Sequence, residues 1–346
     1  MIPVKRRPRV AVIGAGVVGL PVAVMLTQNK FRPNVTLIAA EFSPNITSDT
    51  AGASLRITGN KTSSKDPRQE KWTRATYHYF FNLFTSPMAK TLGMSLTTMY
   101  QVFDGYRDHP WWKNLVLGFR DVADDEKKIV NIRQDLNAWC FSTLIFPCGP
   151  YLEWQLKQFE ANGGTVIQKK LNSLKEIDGE YDVIVNCTGL GSKELVGDHG
   201  MYPVRGQVIV LKAPWVKHSF GVEVADDVTY IYPREGEVLI GGTAQFGNSS
   251  KEIDPIDRSG IMSRCTSYVP SFAQTEVVDE WVGIRPGRKV VRLEIEDLSA
   301  DTAVVHNYGH TGQGLVYSIG CARDSIQLIE EYFERKKNLK YDNAKL

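Results

Sequence analysis

Eleven residues near the start, Val10-Ala-Val-Ile-Gly-Ala-Gly-Val-Val-Gly-Leu20, constrain this chain more than any other stretch. Val10 to Ile13 read as a buried strand. Gly14, Gly16 and Gly19 then spell G-x-G-x-x-G, and an apolar, helix-like run follows to Gln28. Each glycine has a mechanical role at a strand-to-helix turn that receives a dinucleotide. Gly14 makes the tight turn, Gly16 lets the backbone approach a pyrophosphate, and Gly19 lets helix pack on strand. A second strand is predicted at Val35–Ala39, and Glu41 stands 22 residues past Gly19, about where an acid bonds a ribose hydroxyl. Pro21 sits slightly late for a first helical turn. Lys5-Arg6-Arg7 before the apolar stretch mimics a secretory leader, but the glycine density and the lack of a small-x-small cleavage site argue against one.

The chain has 346 residues, enough for two domains. A net charge of +2 gives no electrostatic case for nucleic acid or membrane binding, and no apolar run reaches the length of a span. Five scattered cysteines without a C-x-x-C pair fit reduced thiols inside a cell rather than a disulfide framework. The Asn-x-Ser/Thr triplets at Asn34, Asn45, Asn60 and Asn248 then read as chance matches. The last residues, Ala344-Lys345-Leu346, resemble the S-K-L peroxisomal address, with Ala for Ser.

Further along, residues 59–72 read as a polar surface loop and 73–92 as an aromatic-rich helix. Another helix is predicted at Tyr151–Asn162, then a short strand at Thr165–Gln168. The run Tyr181-Asp-Val-Ile-Val-Asn-Cys-Thr-Gly189 reads as a buried parallel strand ending in small residues. A β-rich region opens at Arg205–Lys212, with Val228–Pro233 and Val238–Thr243 as a hairpin around Arg234–Glu237. The end returns to a glycine-rich loop, His306–Gly314, and a final helix over about Ala322–Lys336. The expected fold is therefore α/β. A discontinuous Rossmann-like domain takes residues 1–58, 150–200 and 300–346, and an inserted β-rich substrate domain takes 59–149 and 201–299.

Beyond Gly14-Ala-Gly-Val-Val-Gly19, the chain carries Phe42-Ser-Pro-Asn-Ile-Thr-Ser-Asp49, Asp182-Val-Ile-Val-Asn-Cys-Thr-Gly189 and Tyr202-Pro-Val-Arg-Gly-Gln207. Thr229-Tyr-Ile-Tyr-Pro233, Gly283-Ile-Arg-Pro286 and His306-Asn-Tyr-Gly-His310 complete the set. Over nearly its whole length the sequence resembles the D-amino-acid oxidase and D-aspartate oxidase family. The resemblance implies FAD as cofactor. It implies contacts from Ala15, Gly16, Val17, Val18, Glu41, Thr47, Ser48, Gly52, Val166, Thr188, Gly189, Thr311, Gly312, Gly314, Leu315 and Val316. Departures are Ala40 where the ribose acid usually sits, Ala51-Gly52-Ala53 for Ala-Ala-Gly, Val316 for a threonine, and no lid tyrosine near Asp226.

An amino-acid oxidase must fix an α-carboxylate, orient an amine and present Cα–H to the flavin. A bidentate guanidinium holds a carboxylate best. Arg285 matches the family's carboxylate-binding arginine, Tyr230 the tyrosine that shares that carboxylate, and Gly312 a glycine whose carbonyl accepts from the amine. Tyr232 reads as core, although alternation places it on the face of Tyr230. The implied chemistry is hydride transfer from Cα to flavin N5, with oxygen reduced to hydrogen peroxide. No dedicated general base and no metal are expected, and His306 and His310 read as structural.

D-Aspartate oxidases carry an arginine where Ala244 stands, and a second near Val222 or Glu223; neither is present. An unpaired substrate carboxylate would cost several kcal/mol to bury. The expected substrates are thus D-amino acids with neutral or basic side chains. The alternative is a D-aspartate oxidase acting on D-aspartate and D-glutamate, and it returns if Arg56 reaches the pocket. Glu223, Asp226 and Asp227 read as a solvated acidic loop. Arg285 and Tyr230 argue against a flavin scaffold without turnover, and an NAD-dependent dehydrogenase rests on the fingerprint alone. Peroxide production makes a peroxisomal matrix location, through an import receptor reading Ala344-Lys345-Leu346, the expected address. A homodimer is a compatible assembly.

Overall fold

The computed structural model describes residues 6–52, 54–58, 66–225 and 228–343, with side chains described as far as Asn338. Arg9–Ile13 forms the centre of a six-stranded sheet. Asn34–Ala39 and then Thr165–Gln168 lie on one side of it, and Val183–Asn186 and then Ala303–Tyr308 on the other, all parallel. Arg292–Asp297 closes that edge antiparallel, so the sheet takes a strand that precedes the expected boundary at residue 300. The inner strands Arg9–Ile13, Val183–Asn186 and Ala303–Tyr308 are buried on both faces because both are covered, whereas the edge strands Thr165–Gln168 and Arg292–Asp297 are largely exposed. Val10 and Val12 face a core shared with the helices Gly19–Thr27, Cys148–Ala161 and Gly314–Asn343. Ala11 and Ile13 face a smaller core closed by Leu171, Leu174 and Ile177.

The second sheet is antiparallel for most of its width. Its order is Gln245–Phe246, Tyr202–Leu211, Val238–Gly241, Thr229–Pro233, His218–Glu223, Ser95–Phe103, Asn137–Ile145 and Leu117–Asp121, with Val277–Gly287 paired along Tyr202–Leu211. The predicted hairpin is present, with Tyr230 opposite Gly241. Arg234 N–H donates to the Glu237 carbonyl at 2.7 Å, and Gly236 takes the left-handed turn position at φ +77°.

Three helices differ from expectation. The aromatic-rich helix starts at Gln69 and stops at Phe84, because Ser86-Pro87 cannot continue it; a short turn, Met88–Thr91, follows. Residues 59–65 of the predicted polar loop lie outside the described residues. The helix predicted at Tyr151–Asn162 spans Cys148–Ala161. The final helix begins at Gly314, eight residues before Ala322. Gly314 reads as the end of a loop in sequence, yet it opens the helix; further along, a Cβ on Gly320 would stand 2.6 Å from Trp72 Cβ, so the small residue lets this helix lie against the aromatic one. Among the described residues, no helix is long and apolar enough to cross a membrane.

Candidate active site

One cavity of about 850 Å³ opens where the carboxyl ends of the parallel strands meet the second sheet. The glycine turn forms its floor. Gly14 sits at φ +105°, and a Cβ there would lie 2.6 Å from the Cys187 carbonyl oxygen. A Cβ on Gly19 would lie 3.0 Å from the Gly14 carbonyl carbon, so Gly19 closes the turn on itself. A Cβ on Gly16 would lie 2.9 Å from Ser48 Oγ, which itself accepts from Val17 N–H at 3.1 Å. This open backbone cradle at a helix N-terminus is shaped for an anionic group.

Ala15, Gly16, Val17, Val18, Glu41, Thr47, Ser48 and Gly52 line the cavity from the amino-terminal half. Thr188 and Gly189 follow the strand Val183–Asn186, and Thr188 Oγ1 donates to Asn186 Oδ1 at 2.8 Å. Thr311, Gly312, Gly314, Leu315 and Val316 line it from the start of the final helix. Thr311 holds a left-handed backbone, φ +52°, while its N–H donates to the Pro286 carbonyl at 3.0 Å. Beside it, the buried Gln313 donates to Thr58 Oγ1 at 3.0 Å, and its Oε1 has no partner among the described residues. Val166 is the exception. It sits inside the edge strand opposite Leu37 with its side chain packed on the core, outside the cavity lining. Lys169 and Lys170, just past that strand's carboxyl end, line the cavity instead. Two lysines directly after a parallel strand were the readable signal.

Arg285, Tyr230, Gly312 and Arg56 all line the same cavity. Arg285 projects from Val277–Gly287, and its Nη1 donates to the Thr243 carbonyl at 3.0 Å. Its guanidinium rests on Gly206, where a Cβ would stand 2.6 Å from Arg285 Cζ. The Tyr230 ring lies over Gly241 and Gly242. Burial pushes the Tyr230 phenol upward, with the neighbouring Arg285 guanidinium opposing that shift. It therefore stays a neutral O–H donor beside a fixed cation, which together make a carboxylate clamp. Tyr232, expected in the core, stacks on Tyr230 at 4.9 Å and also faces the cavity, as strand alternation had allowed.

Arg56 is only 5% exposed. Its Nη2 donates to Glu223 Oε1 at 2.9 Å, and Glu223 Oε2 accepts from Arg107 at 2.8 Å. Glu223 is thus buried between two arginines, and the expectation of a solvated acidic residue there fails. Pairing with two guanidiniums is what makes burying it affordable. Asp226 and Asp227 lie outside the described residues. His306 is buried against Glu296 at 2.8 Å, and burial lowers its pKa, with Glu296 opposing. His310 lines the cavity, contacts Cys321 Sγ at 3.4 Å, and is pushed down to about 4 by burial. Both histidines hold side-chain partners. All five cysteines are buried and free.

Residues 9–328 match the family model described as FAD dependent oxidoreductase. D-aspartate oxidase from Homo sapiens is 37% identical over 328 residues, covering 93% of this chain and 95% of that protein. D-amino-acid oxidase from Rubrobacter xylanophilus is 32% identical, covering 92% and 95%. The fold matches the crystal structure of glycine oxidase from Geobacillus kaustophilus, with a TM-score of 0.77 over 94% of this chain and 95% of that one, at 18% identity. The glycine cradle, its helix N-terminus and the arginine–tyrosine clamp in one cavity fit that assignment: the chain belongs to the family of FAD-dependent oxidoreductases that includes the D-amino-acid and D-aspartate oxidases.

Proposed function

We propose that this protein oxidatively deaminates free D-α-amino acids to 2-oxo acids, ammonia and hydrogen peroxide. The observation that carries this reading is the clamp of Arg285 and Tyr230 inside the cavity that also holds the glycine cradle. Bound FAD would supply the hydride acceptor and the route to oxygen. The residues do the positioning. Arg285 pairs with the α-carboxylate while Thr243 and the Gly206 surface fix its plane. Tyr230 donates its O–H to the same carboxylate. The Gly312 carbonyl accepts from the amine, which leaves the Cα–H as the substrate's remaining direction. The parallel sheet would carry the cofactor and the β-rich sheet the substrate.

Two observations bear on the side chain. No arginine stands at 244 or 222, which supports neutral or basic substrates. The buried Arg56 at the cavity wall supports the second reading, acidic D-amino acids. Peroxide release by the FAD-loaded protein with D-alanine, D-arginine and D-aspartate, against L-alanine, tests the reading: turnover of D and not L supports it, and turnover of L alone rejects it. A peroxisomal location rests on Ala344-Lys345-Leu346, which lie outside the described residues; moving a fluorescent fusion to the cytosol by deleting the tripeptide tests it. A homodimer is tested by sedimentation.

A further inference from the structure

Arg285 is not the cavity's only arginine seated on a glycine. Arg56 rests on Gly221 in the same manner; a Cβ there would stand 2.9 Å from Arg56 Cδ and nearer still to the guanidinium. The strands under the two arginines belong to one sheet. Tyr202–Leu211, Val238–Gly241, Thr229–Pro233 and His218–Glu223 run side by side. Gly221 pairs with Tyr230, Tyr230 with Gly241, and Gly241 with Val208, two residues from Gly206 on the same face. The result is a glycine-paved trough. Arg285 stands at one end, Arg56 at the other, and the stacked rings of Tyr230 and Tyr232 lie between them.

The spacing sets what can bridge them. Three strand steps of about 4.8 Å across the sheet and two residues of about 3.3 Å along it put the two glycines under the guanidiniums about 16 Å apart. Each arginine–carboxylate pair takes about 4 Å between its central carbons, given N···O contacts near 2.8 Å, which leaves about 8 Å between two carboxylate carbons and favours the longer diacid. From bond lengths, those carbons are at most about 4 Å apart in aspartate, about 5 Å in glutamate and about 6 Å in 2-aminoadipate.

The charge at Arg56 points the same way. Arg56 and Arg107 share the single carboxylate of Glu223, at 2.9 and 2.8 Å. Gln101 ties the pair together, accepting from Arg56 Nε at 3.4 Å and donating to Glu223 at 3.2 Å. Arg107 also meets the Asp104 carboxylate at 3.6 Å, so of these four charges it is the Arg56 guanidinium that lines the cavity, where a substrate carboxylate can reach it.

We infer that Arg56 is a specificity-determining residue that receives the side-chain carboxylate of longer acidic D-amino acids, D-glutamate and D-2-aminoadipate ahead of D-aspartate. Glu223, Gln101 and Arg107 position it. The inference rests on the proposed oxidation of D-amino acids and names the substrate end that reading leaves open.

The test compares kcat/KM of the FAD-loaded protein for D-alanine, D-aspartate, D-glutamate and D-2-aminoadipate, in the native chain and in Arg56→Met and Arg56→Lys. The expected order places D-glutamate and D-2-aminoadipate above D-aspartate. Arg56→Met should lower the D-glutamate to D-alanine ratio by at least about 10-fold, and Arg56→Lys should restore part of it. A binding readout stands beside turnover: glutarate and adipate, which lack the amine and cannot be oxidised, should perturb the flavin spectrum at lower concentration than butyrate, and Arg56→Met should remove that advantage. A D-aspartate optimum overturns the inference, as does a ratio that Arg56→Met leaves in place. No turnover of any D-amino acid would instead reject the underlying reaction.

Discussion

Replacing Gly206 by alanine tests the clamp without touching Arg285 itself. The new Cβ would stand 2.6 Å from Arg285 Cζ, whereas ordinary contacts begin at 3.4 Å. The guanidinium must therefore retreat by about 1 Å, and a misplacement of that size can cost about 100-fold in rate. Retreat also lengthens the 3.0 Å bond from Nη1 to the Thr243 carbonyl, so the plane of the guanidinium is lost with its position. The backbone has no reason to object. Gly206 is not among the glycines with positive φ, and alanine inside a strand is favoured over glycine by about 0.5–1 kcal/mol. Gly206→Ala should therefore lower kcat/KM for every D-amino acid by about 100-fold, or about 2.7 kcal/mol of transition-state binding. Flavin content and Tm should stay close to the native values. Initial rates of peroxide formation, with thermal melts on the same preparations, measure both. A loss of less than about 3-fold would refute the claim that Arg285 must lie on this glycine to hold the substrate.

Further outcomes follow from neighbouring contacts. Gly221→Ala should displace Arg56 in the same way and lower the D-glutamate to D-alanine ratio of kcat/KM several-fold, read in the same assay. Tyr230→Phe removes one donor from the clamp and should raise KM for D-alanine by about 10-fold, with little change in Tm. Gly19→Ala drives a methyl into the Gly14 carbonyl, so the purified protein should lose most of its flavin absorbance. His310 is held neutral, its pKa depressed to about 4 by burial, while the unfolded chain takes up that proton near 6.5. The unfolded state thus binds more protons between those values, so stability falls as pH drops from about 6.5 towards 4, by up to about 3 kcal/mol. Melting curves across that range should show the decline, and His310→Gln should flatten it.

The features legible in the sequence are those whose physics is local. Gly14 and Gly19 answer contacts within the same turn or just past the strand beside it, so their spacing carried the meaning, while Gly16 makes room for Ser48 from the turn Thr47–Thr50. The hairpin was legible because alternation and a four-residue turn suffice to define it, and Arg285 because it sits in a tight motif next to Pro286. What stayed hidden depends on distant partners. The packing of the final helix rests on Gly320 against Trp72, across more than two hundred residues. Glu223 looked solvated because its arginines, Arg56 and Arg107, come from other parts of the chain. Arg56 itself could be placed only once Gly221 offered a surface without a side chain. Val166 shows the converse: a strand residue expected at the cofactor, yet turned into the core by the register opposite Leu37.

The measurement that bears most directly on the account is anaerobic mixing of the FAD-loaded protein with single enantiomers, followed by the visible absorbance of the flavin. With oxygen absent, each substrate that yields a hydride bleaches the yellow band once. The account predicts bleaching by D-alanine and D-glutamate and none by their L-forms. Bleaching by L-amino acids, or by none of the D-amino acids, would contradict it.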